Sequence, residues 1–101
     1  MAARQVEIHP EALAEAEAAL SWYAERSSHA PEALIEELDK AVQAILEAPK
    51  RWPIFEEGCR RYPLVSFPYF IVYTEKSPNV IRILAVAHGR RKPGYWRARR
   101  K

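Results

Sequence analysis

Two β-rich runs joined by a short turn dominate the C-terminal half of the sequence. The first run, FPYFIVYTE, covers residues 67–75, and the second, VIRILAVA, covers residues 80–87. The intervening Lys-Ser-Pro-Asn at 76–79 is typical of a tight turn, so the pattern predicts a β-hairpin. Because both runs are almost continuously apolar, each strand should be covered on both faces and lie centrally in a sheet.

The second predicted strand leads directly into a basic tail, residues 88–101. This segment, HGRRKPGYWRARRK, contains seven Lys/Arg, no acidic residue and two aromatic residues. Simple alternation along the strand places His88 on the same side of the sheet as Arg82, Leu84 and Val86. We therefore expect the hairpin to present a cationic, aromatic surface at one end of the sheet.

Two amphipathic helices are predicted upstream of the hairpin. Pro10 fits the first turn of one helix, whose apolar residues recur at spacings of three and four until residues 27–29. Pro31 fits the first turn of the next, and Pro49 ends it, because the residue before a proline is pushed out of helical geometry. Neither apolar stripe can be buried alone, so the helices should form an antiparallel hairpin packed on the sheet.

The remaining segments complete the predicted fold. Residues 5–9 alternate as a first or edge strand, residues 50–58 form an irregular connector, and residues 59–65 are a third strand candidate. The predicted order is β-α-α-β-β-β, an α+β domain with a helical hairpin on a mainly antiparallel sheet and a short basic C-terminal tail. At 101 residues, a single domain over 1–101 is expected.

Several classes of protein are disfavoured by what the sequence lacks. No apolar run approaches the roughly 20 residues that span a bilayer, and the N-terminus lacks the apolar core of a signal peptide. Cys59 is the single cysteine and has no partner for an intramolecular disulfide, which favours the cytoplasm. No Cys, His or carboxylate lies at ligand spacing from His88, so we expect no metal. Likewise, no cofactor, membrane partner or small-molecule substrate is expected.

Charge is distributed unevenly along the chain. Residues 1–50 contain ten Asp/Glu and four Lys/Arg, whereas residues 51–101 contain twelve Lys/Arg and three Asp/Glu. This polarity predicts that the C-terminal half meets an anionic partner, either nucleic acid or an acidic protein segment. The alternative interpretation is surface charge that serves solubility alone.

A set of short motifs is distributed in order along nearly the whole chain. They are Trp22-Tyr23, Glu37-Leu38-Asp39, Pro49, Arg51-Trp52-Pro53, Gly58, Arg60-Arg61, and the segments 67–73 and 85–96. With the predicted element order, they resemble the ParE/RelE superfamily of bacterial toxins from type II toxin–antitoxin systems, often labelled plasmid stabilisation proteins. The resemblance implies a toxin that forms a hetero-oligomer with a cognate antitoxin and is neutralised by it. RelE-like members cut mRNA in the ribosome without a metal, whereas ParE-like members act on DNA gyrase.

The resemblance does not distinguish between these two activities, so the residues are compared with what RNA cleavage requires. RNA cleavage needs groups that move protons and stabilise a crowded phosphate. Candidates for these roles are His88, Arg90, Arg91 and Tyr95. The RNA-cleaving members resembled here carry basic residues at two places where this chain has Phe70 and Val65. Both departures remove positive charge from the middle of the sheet. We therefore favour the gyrase-inhibiting, non-nucleolytic function, with the ribosome-dependent mRNA endoribonuclease as the alternative.

A larger set is expected to contact the target or the antitoxin. It consists of Arg60, Arg61, Arg82, Arg90, Arg91, Lys92, Tyr95 and Trp96. Arg60 and Arg61 point to opposite faces of a strand, so only one of them can share the surface of the tail. Trp96 is favoured as a residue that pins the tail to the body. A partly acidic segment of the antitoxin should lie over the basic side of the sheet and fold as it binds.

Overall fold

The fold was examined in a computed structural model, which describes residues 4–56 and 58–100. The elements are β1 (Gln5–Ile8), α1 (Pro10–Ala24), α2 (Ala30–Glu47), β2 (Ile54–Glu56), β3 (Cys59–Pro63), β4 (Tyr69–Ser77) and β5 (Val80–His88). Short 3-10 turns cover Pro49–Arg51 and Arg97–Arg100. Glu57 of the predicted connector, Lys101 of the predicted tail and residues 1–3 lie outside the described residues.

The strands form one sheet in the order β1-β5-β4-β3-β2, with the two helices packed on one face. β1 runs parallel to β5, and every other pair is antiparallel. The predicted hairpin, β4 and β5, therefore lies in the interior of the sheet, as its continuous apolar runs required. These features confirm the α+β class with a helical hairpin on a mainly antiparallel sheet.

The segment predicted as an irregular connector contains an additional strand, which is a correction to the predicted element order. β2 has three residues and pairs with β3 at the edge of the sheet. The chain reverses between them at Gly58, whose φ of 78° lies in the left-handed region that glycine adopts without steric cost. A three-residue strand after a proline carries too short a periodic signal to be recognised in sequence. β3 also ends earlier than predicted, at Pro63.

A histidine occupies the N-cap position of both helices, but only His9 caps its helix with its side chain. The His9 Nδ1 accepts a hydrogen bond from the Glu11 N–H at 3.1 Å, which satisfies one of the free donors of α1. At the start of α2 the capping is shifted to Ser27, whose hydroxyl accepts from the N–H groups of His29 and Ala30. The prolines in the two first turns lie where a missing N–H costs nothing, so local chemistry sets both helix starts.

Hydrogen bonds join α2 and the segment that follows it to the sheet and to one of its loops. The Glu37 carboxylate in α2 accepts hydrogen bonds from the backbone N–H groups of Val65 and Ser66, in the loop between β3 and β4. The buried Tyr73 hydroxyl in β4 donates to the Pro49 carbonyl at 2.6 Å, just after α2. Burial raises the pKa of Tyr73 to about 12, so this donor keeps its proton at physiological pH.

Two apolar clusters lie on opposite faces of the sheet. Between sheet and helices, the buried residues are Ala12, Ala19, Leu34, Ala41, Ile45, Leu64, Ile71, Tyr73, Ile81 and Ile83. On the other face, they are Cys59, Val72, Leu84, Ala85, Ala87 and Trp96. The second face lies opposite α1 and α2, and among the described residues its cover comes from the C-terminal segment, through Trp96. The basic tail is therefore part of the packed structure.

A β-bulge interrupts the central hairpin. Val72 pairs with Ala85, but the next residue of β4, Tyr73, pairs with Ile83. Leu84 is consequently the extra residue on β5, and both Leu84 and Ala85 join the cluster beneath the C-terminal segment. An extra residue in one strand reverses the facing of every side chain that follows it.

The bulge overturns the predicted side of His88. Arg82 and Leu84 face away from the helices, whereas Val86 and His88 pair with the helix-side residues of β4. The prediction that His88 shares a side with Arg82 and Leu84 is wrong, because simple alternation takes no account of a bulge. Only Val86 shares its side as predicted.

Glu7 in β1 is expected to give the stability an acid-sensitive component. Hydrogen bonds from Lys76 and Arg82, at 3.1 Å each, lower its pKa below the usual carboxyl value. A carboxylate with a lowered folded pKa stabilises the protein above its unfolded pKa, and that contribution is lost as pH falls through the folded pKa.

The Glu7→Gln variant should therefore show a shallower loss of stability between about pH 5 and 3 in urea unfolding. Glu17→Gln is the matched control, since the Glu17 side chain is exposed and makes no hydrogen bond or ion pair within residues 4–56 and 58–100. Equal slopes for the two variants would contradict the expectation.

Candidate functional site

The C-terminal segment after β5 is fixed to the sheet by Trp96. This side chain is 1% exposed and lies on the face away from the helices. Its ring centroid is 5.8 Å from that of Phe55, 6.0 Å from Phe70 and 5.2 Å from Tyr95. The structure confirms that Trp96 pins the tail. Packed in this way, the side chain presents almost no surface to a partner.

A second attachment joins the tail to α1 through Glu15. The Glu15 carboxylate accepts hydrogen bonds from both terminal nitrogens of Arg99, at 3.0 and 3.2 Å. It also pairs with Arg91 at 3.4 Å and accepts from the backbone N–H of Val86 at 3.0 Å. The Arg99 side chain is 8% exposed, and it donates to the Leu84 carbonyl at 3.0 Å.

The position of this ion pair follows from where β1 ends. Beyond Ile8, β5 has no neighbouring strand on that side, so backbone groups of its edge need other partners. The Glu15 carboxylate accepts a hydrogen bond from the Val86 N–H, and the Arg99 guanidinium donates one to the Leu84 carbonyl. The ion pair therefore completes the hydrogen bonding of the sheet and holds the tail against α1.

Glu15 was not among the residues predicted to matter. A signal existed, because Glu15 lies three residues after Ala12 and four before Ala19, and both alanines are buried. A carboxylate on the buried stripe of a helix needs a cationic or N–H partner. The sequence could have indicated that such a partner exists, but not that it is an arginine 84 residues away.

Three of the four predicted catalytic residues line one cavity of about 430 Å³ on the helix side of the sheet. They are His88, Arg91 and Tyr95. The remaining lining comes from α1 and the ends of β4 and β5: Glu15, Ala18, Ala19, Trp22, Tyr23, Pro68, Tyr69 and Val86. Arg90, the fourth candidate, is not part of the lining. Most of the wall is aromatic or aliphatic.

His88 is held by its neighbours at the mouth of this cavity. Its ring lies edge-on to Tyr69, with centroids 5.1 Å apart. Its Nδ1 accepts a hydrogen bond from the Arg90 backbone N–H at 3.1 Å, which leaves Nε2 as the nitrogen that can meet another group. The contacts position His88 as part of a turn at the end of β5.

Tyr95 is poorly suited to move protons. Its hydroxyl is buried and makes no hydrogen bond of normal geometry with the described residues. Burial, assisted by the nearby Glu15 carboxylate, raises the pKa of Tyr95 to about 12. The guanidinium carbon of Arg91 lies 3.7 Å from the centroid of its ring. At physiological pH the phenol is therefore protonated and shielded from solvent.

The predicted contact residues are divided between the two faces of the sheet. Arg60 pairs with Tyr73 on the helix side and donates to the Trp52 carbonyl at 2.5 Å. Arg61 faces the other way, toward the side that Trp96 covers, with its guanidinium carbon 5.1 Å from the Phe55 ring centroid. Of these two arginines, Arg61 shares the surface of the tail.

Part of the positive charge in the C-terminal half is neutralised internally. Arg82 pairs with Glu7, and Arg91 and Arg99 pair with Glu15. The cationic surface expected at one end of the sheet is thus partly neutralised, because β1 and α1 supply the counter-charges Glu7 and Glu15. Of the predicted contact residues in the part of the chain that the structure describes, those without an ion pair are Arg61, Arg90 and Lys92.

Metal-binding clusters and membrane-crossing helices are both absent from the part of the chain that the structure describes. No group of three or more His, Cys, Asp or Glu within residues 4–56 and 58–100 could hold a metal ion. Over the same residues, neither helix has the length and apolar character that a membrane-crossing helix needs.

Comparison with known proteins gives two positive findings. A family model described as the ParE toxin of type II toxin–antitoxin system, parDE, matches residues 6–93. A chain in a solved structure, the chromosomal ParDE TA system from P. aeruginosa, is similar to this one with a TM-score of 0.70. The identity is 17%, over 85% of this chain and 96% of that chain, so this likeness shows the fold alone. A comparison with curated proteins gave no significant match.

Proposed function

This chain belongs to the ParE toxin family of type II toxin–antitoxin systems, and we propose on that premise that it inhibits DNA gyrase by binding it. In this proposal a cognate antitoxin binds the toxin and neutralises it, so the active species is the toxin released from that complex. The chain acts as a binding protein, without cleaving RNA.

The observation that carries the proposal is the state of the cavity that contains His88, Arg91 and Tyr95. A nuclease would need a free cation near the phosphate and an accessible proton donor or acceptor. Here Arg91 is paired with Glu15, and the Tyr95 hydroxyl is buried with its pKa raised to about 12. The Glu15 carboxylate in the same wall would also repel a phosphate.

The opposite face of the sheet supports the same conclusion. Phe70, which stands where RNA-cleaving relatives carry a basic residue, packs against Trp96. The expectation that Val65 also belongs to the middle of the sheet is wrong: it is 90% exposed in the loop between β3 and β4, so only Phe70 bears on this face. The C-terminal segment therefore occupies the middle of this face with an aromatic side chain, an arrangement suited to packing and poorly suited to holding a phosphodiester.

Neutralisation by an antitoxin is supported by the cations that remain unpaired. Arg61, Arg90 and Lys92 make no ion pair among the described residues. An acidic segment that folds on the toxin surface could pair with them and cover the surface that meets the target. Purification of the toxin from its native operon should recover a small acidic partner, and recovery of the toxin alone would argue against this part of the proposal.

Expression of the chain without its antitoxin tests the main proposal. Growth should stop, plasmids should lose negative supercoils, and RNA ends should remain those of untreated cells. Purified toxin should inhibit gyrase supercoiling in vitro. Discrete mRNA cuts in a translating extract, with gyrase unaffected, would instead establish the endoribonuclease alternative.

The Tyr95→Phe substitution gives a sharper separation of the two activities. If the toxin is not a nuclease, this variant should inhibit growth and gyrase as the wild type does, because the hydroxyl is buried and reaches no target. Its stability should change by about 1 kcal/mol or less, since the ring contacts are kept. Loss of toxicity in a variant whose thermal unfolding is unchanged would contradict the proposal.

A further inference from the structure

The cavity between α1 and the ends of β4 and β5 has the properties of an anchor pocket. We propose that it receives one large apolar side chain from an acidic partner segment. The inference rests on the proposed function, because the antitoxin would supply this segment. It goes further by assigning the contact to the helix side of the sheet, away from the face that the basic tail covers.

The size and lining of the cavity determine the kind of side chain. Its volume of about 430 Å³ lies within the range of roughly 300–1,000 Å³ found for ligand pockets. Trp22 and Tyr69 form part of the wall, and Trp22 is 48% exposed although it is a large apolar side chain. An apolar residue of the partner would remove this surface from water, which is the main source of free energy in such contacts.

The charges around the cavity determine what should flank that residue. The guanidinium carbon of Arg26 lies 3.7 Å from the centroid of the Trp22 ring, which lines the cavity, and Arg26 also pairs with the exposed Glu25 at 3.4 Å. Arg91 lines the cavity as well, and Arg90 and Lys92, which adjoin it in sequence, make no ion pair within the described residues. Carboxylates on either side of the apolar residue would complement this cationic rim.

The interior of the cavity excludes an anion as the principal ligand. The Glu15 carboxylate lines the wall, and its charge is balanced by Arg91 and Arg99. A phosphate placed there would meet this carboxylate and would compete with it for the two arginines. An uncharged, bulky group leaves the ion pair intact, so the interior favours an apolar side chain and the rim favours its acidic neighbours.

The test fills the cavity from its exposed wall without disturbing the core. Ala18 is exposed and lines the cavity, so Ala18→Trp should occupy the space that the anchor needs. Ala14 is also exposed in α1 but lies outside the lining, which makes Ala14→Trp a control with the same helix propensity and the same added surface. Thermal unfolding of both variants establishes that the fold is kept.

The probe is the purified antitoxin from the native operon, titrated into each toxin variant by calorimetry. Ala18→Trp should lower its affinity by about ten- to a hundredfold, the contribution of one fully buried large apolar side chain, whereas Ala14→Trp should bind as the wild type does. In cells, co-expressed antitoxin should restore growth against the Ala18→Trp toxin less fully than against the Ala14→Trp toxin.

The outcomes separate this inference from the proposed function. Equal antitoxin affinity for the wild type and Ala18→Trp would overturn the anchor pocket and leave the toxin assignment in place. An Ala18→Trp toxin that binds antitoxin normally but no longer inhibits gyrase would also overturn it, because the cavity would then serve the target. A wild-type chain that inhibits neither growth nor gyrase would refute the proposed function itself.

Discussion

Replacing Glu15 with alanine should lower the free energy of unfolding by about 3 kcal/mol, because it leaves a buried guanidinium without its main counter-charge. Arg99 is 8% exposed and would keep the Leu84 carbonyl, a long contact with Glu11 at 3.6 Å and the Tyr95 ring, whose centroid lies 4.9 Å from its guanidinium carbon. The Val86 N–H at the edge of β5 would lose its acceptor as well. For a chain of this length, the midpoint of thermal unfolding should fall by about 15 °C.

Two further variants show whether the effect comes from the unpaired charge. Glu17→Ala removes an exposed carboxylate from the same helix and should change stability by about 0.5 kcal/mol or less. The double variant Glu15→Leu with Arg99→Met replaces both charges by apolar groups and should recover the part of the loss that comes from the unpaired charge, but not the part that comes from the Val86 N–H and the Leu84 carbonyl. If Glu15→Ala unfolds at the same urea concentration as Glu17→Ala, the ion pair does not hold the tail.

Replacing Trp96 with alanine should destabilise the protein by about 3–5 kcal/mol. Trp96 is 1% exposed and is the largest fully buried side chain, with ring contacts to Phe55, Phe70 and Tyr95. Its loss would expose the face of the sheet opposite α1 and α2. The tail would also lose its attachment there, so trypsin should cleave after Arg97 and Arg99 much faster than in the wild type.

Trp22→Ala is the matched control, since it removes the same side chain from a site that is 48% exposed. It should cost about 1 kcal/mol or less and leave the trypsin cleavage of the tail unchanged. Equal urea midpoints for the Trp96→Ala and Trp22→Ala variants would mean that the tail contributes no packing. Both measurements use the full-length chain.

The parts of the fold that the sequence predicted well have local or strongly periodic causes. Pro10 and Pro31 mark helix starts because their missing N–H groups are harmless there, and both helices begin within a residue of them. The hairpin was predicted from two apolar runs and a turn, and its strands occupy the interior of the sheet. Buried strands have no solvent-facing side, so continuous apolar sequence is the expected signature.

The prediction of the site was less complete, because the site depends on register. His88 was placed on the side of Arg82 and Leu84, and the bulge at Leu84 moved it to the helix side. A bulge is set by how two strands pair along their whole length, which no short window of sequence specifies. The same uncertainty applied to Arg60 and Arg61, because the sequence does not show which face of the sheet each side chain lies on. The pairing of β3 with β4 decides it.

The sequence by itself determined the order of the elements apart from β2, the position of the hairpin, and the role of Trp96 as an anchor for the tail. These follow from periodicity, turn chemistry and the tendency of large apolar side chains to be buried. Only the tertiary structure decided that Glu15 and Arg99 pair, that His88 and Trp96 lie on opposite faces, and that an aromatic cavity forms beside α1. Each of these features depends on contacts between segments that are far apart in the chain. Such contacts stabilise the protein only in the packed fold, because water no longer competes for the same polar and apolar groups there.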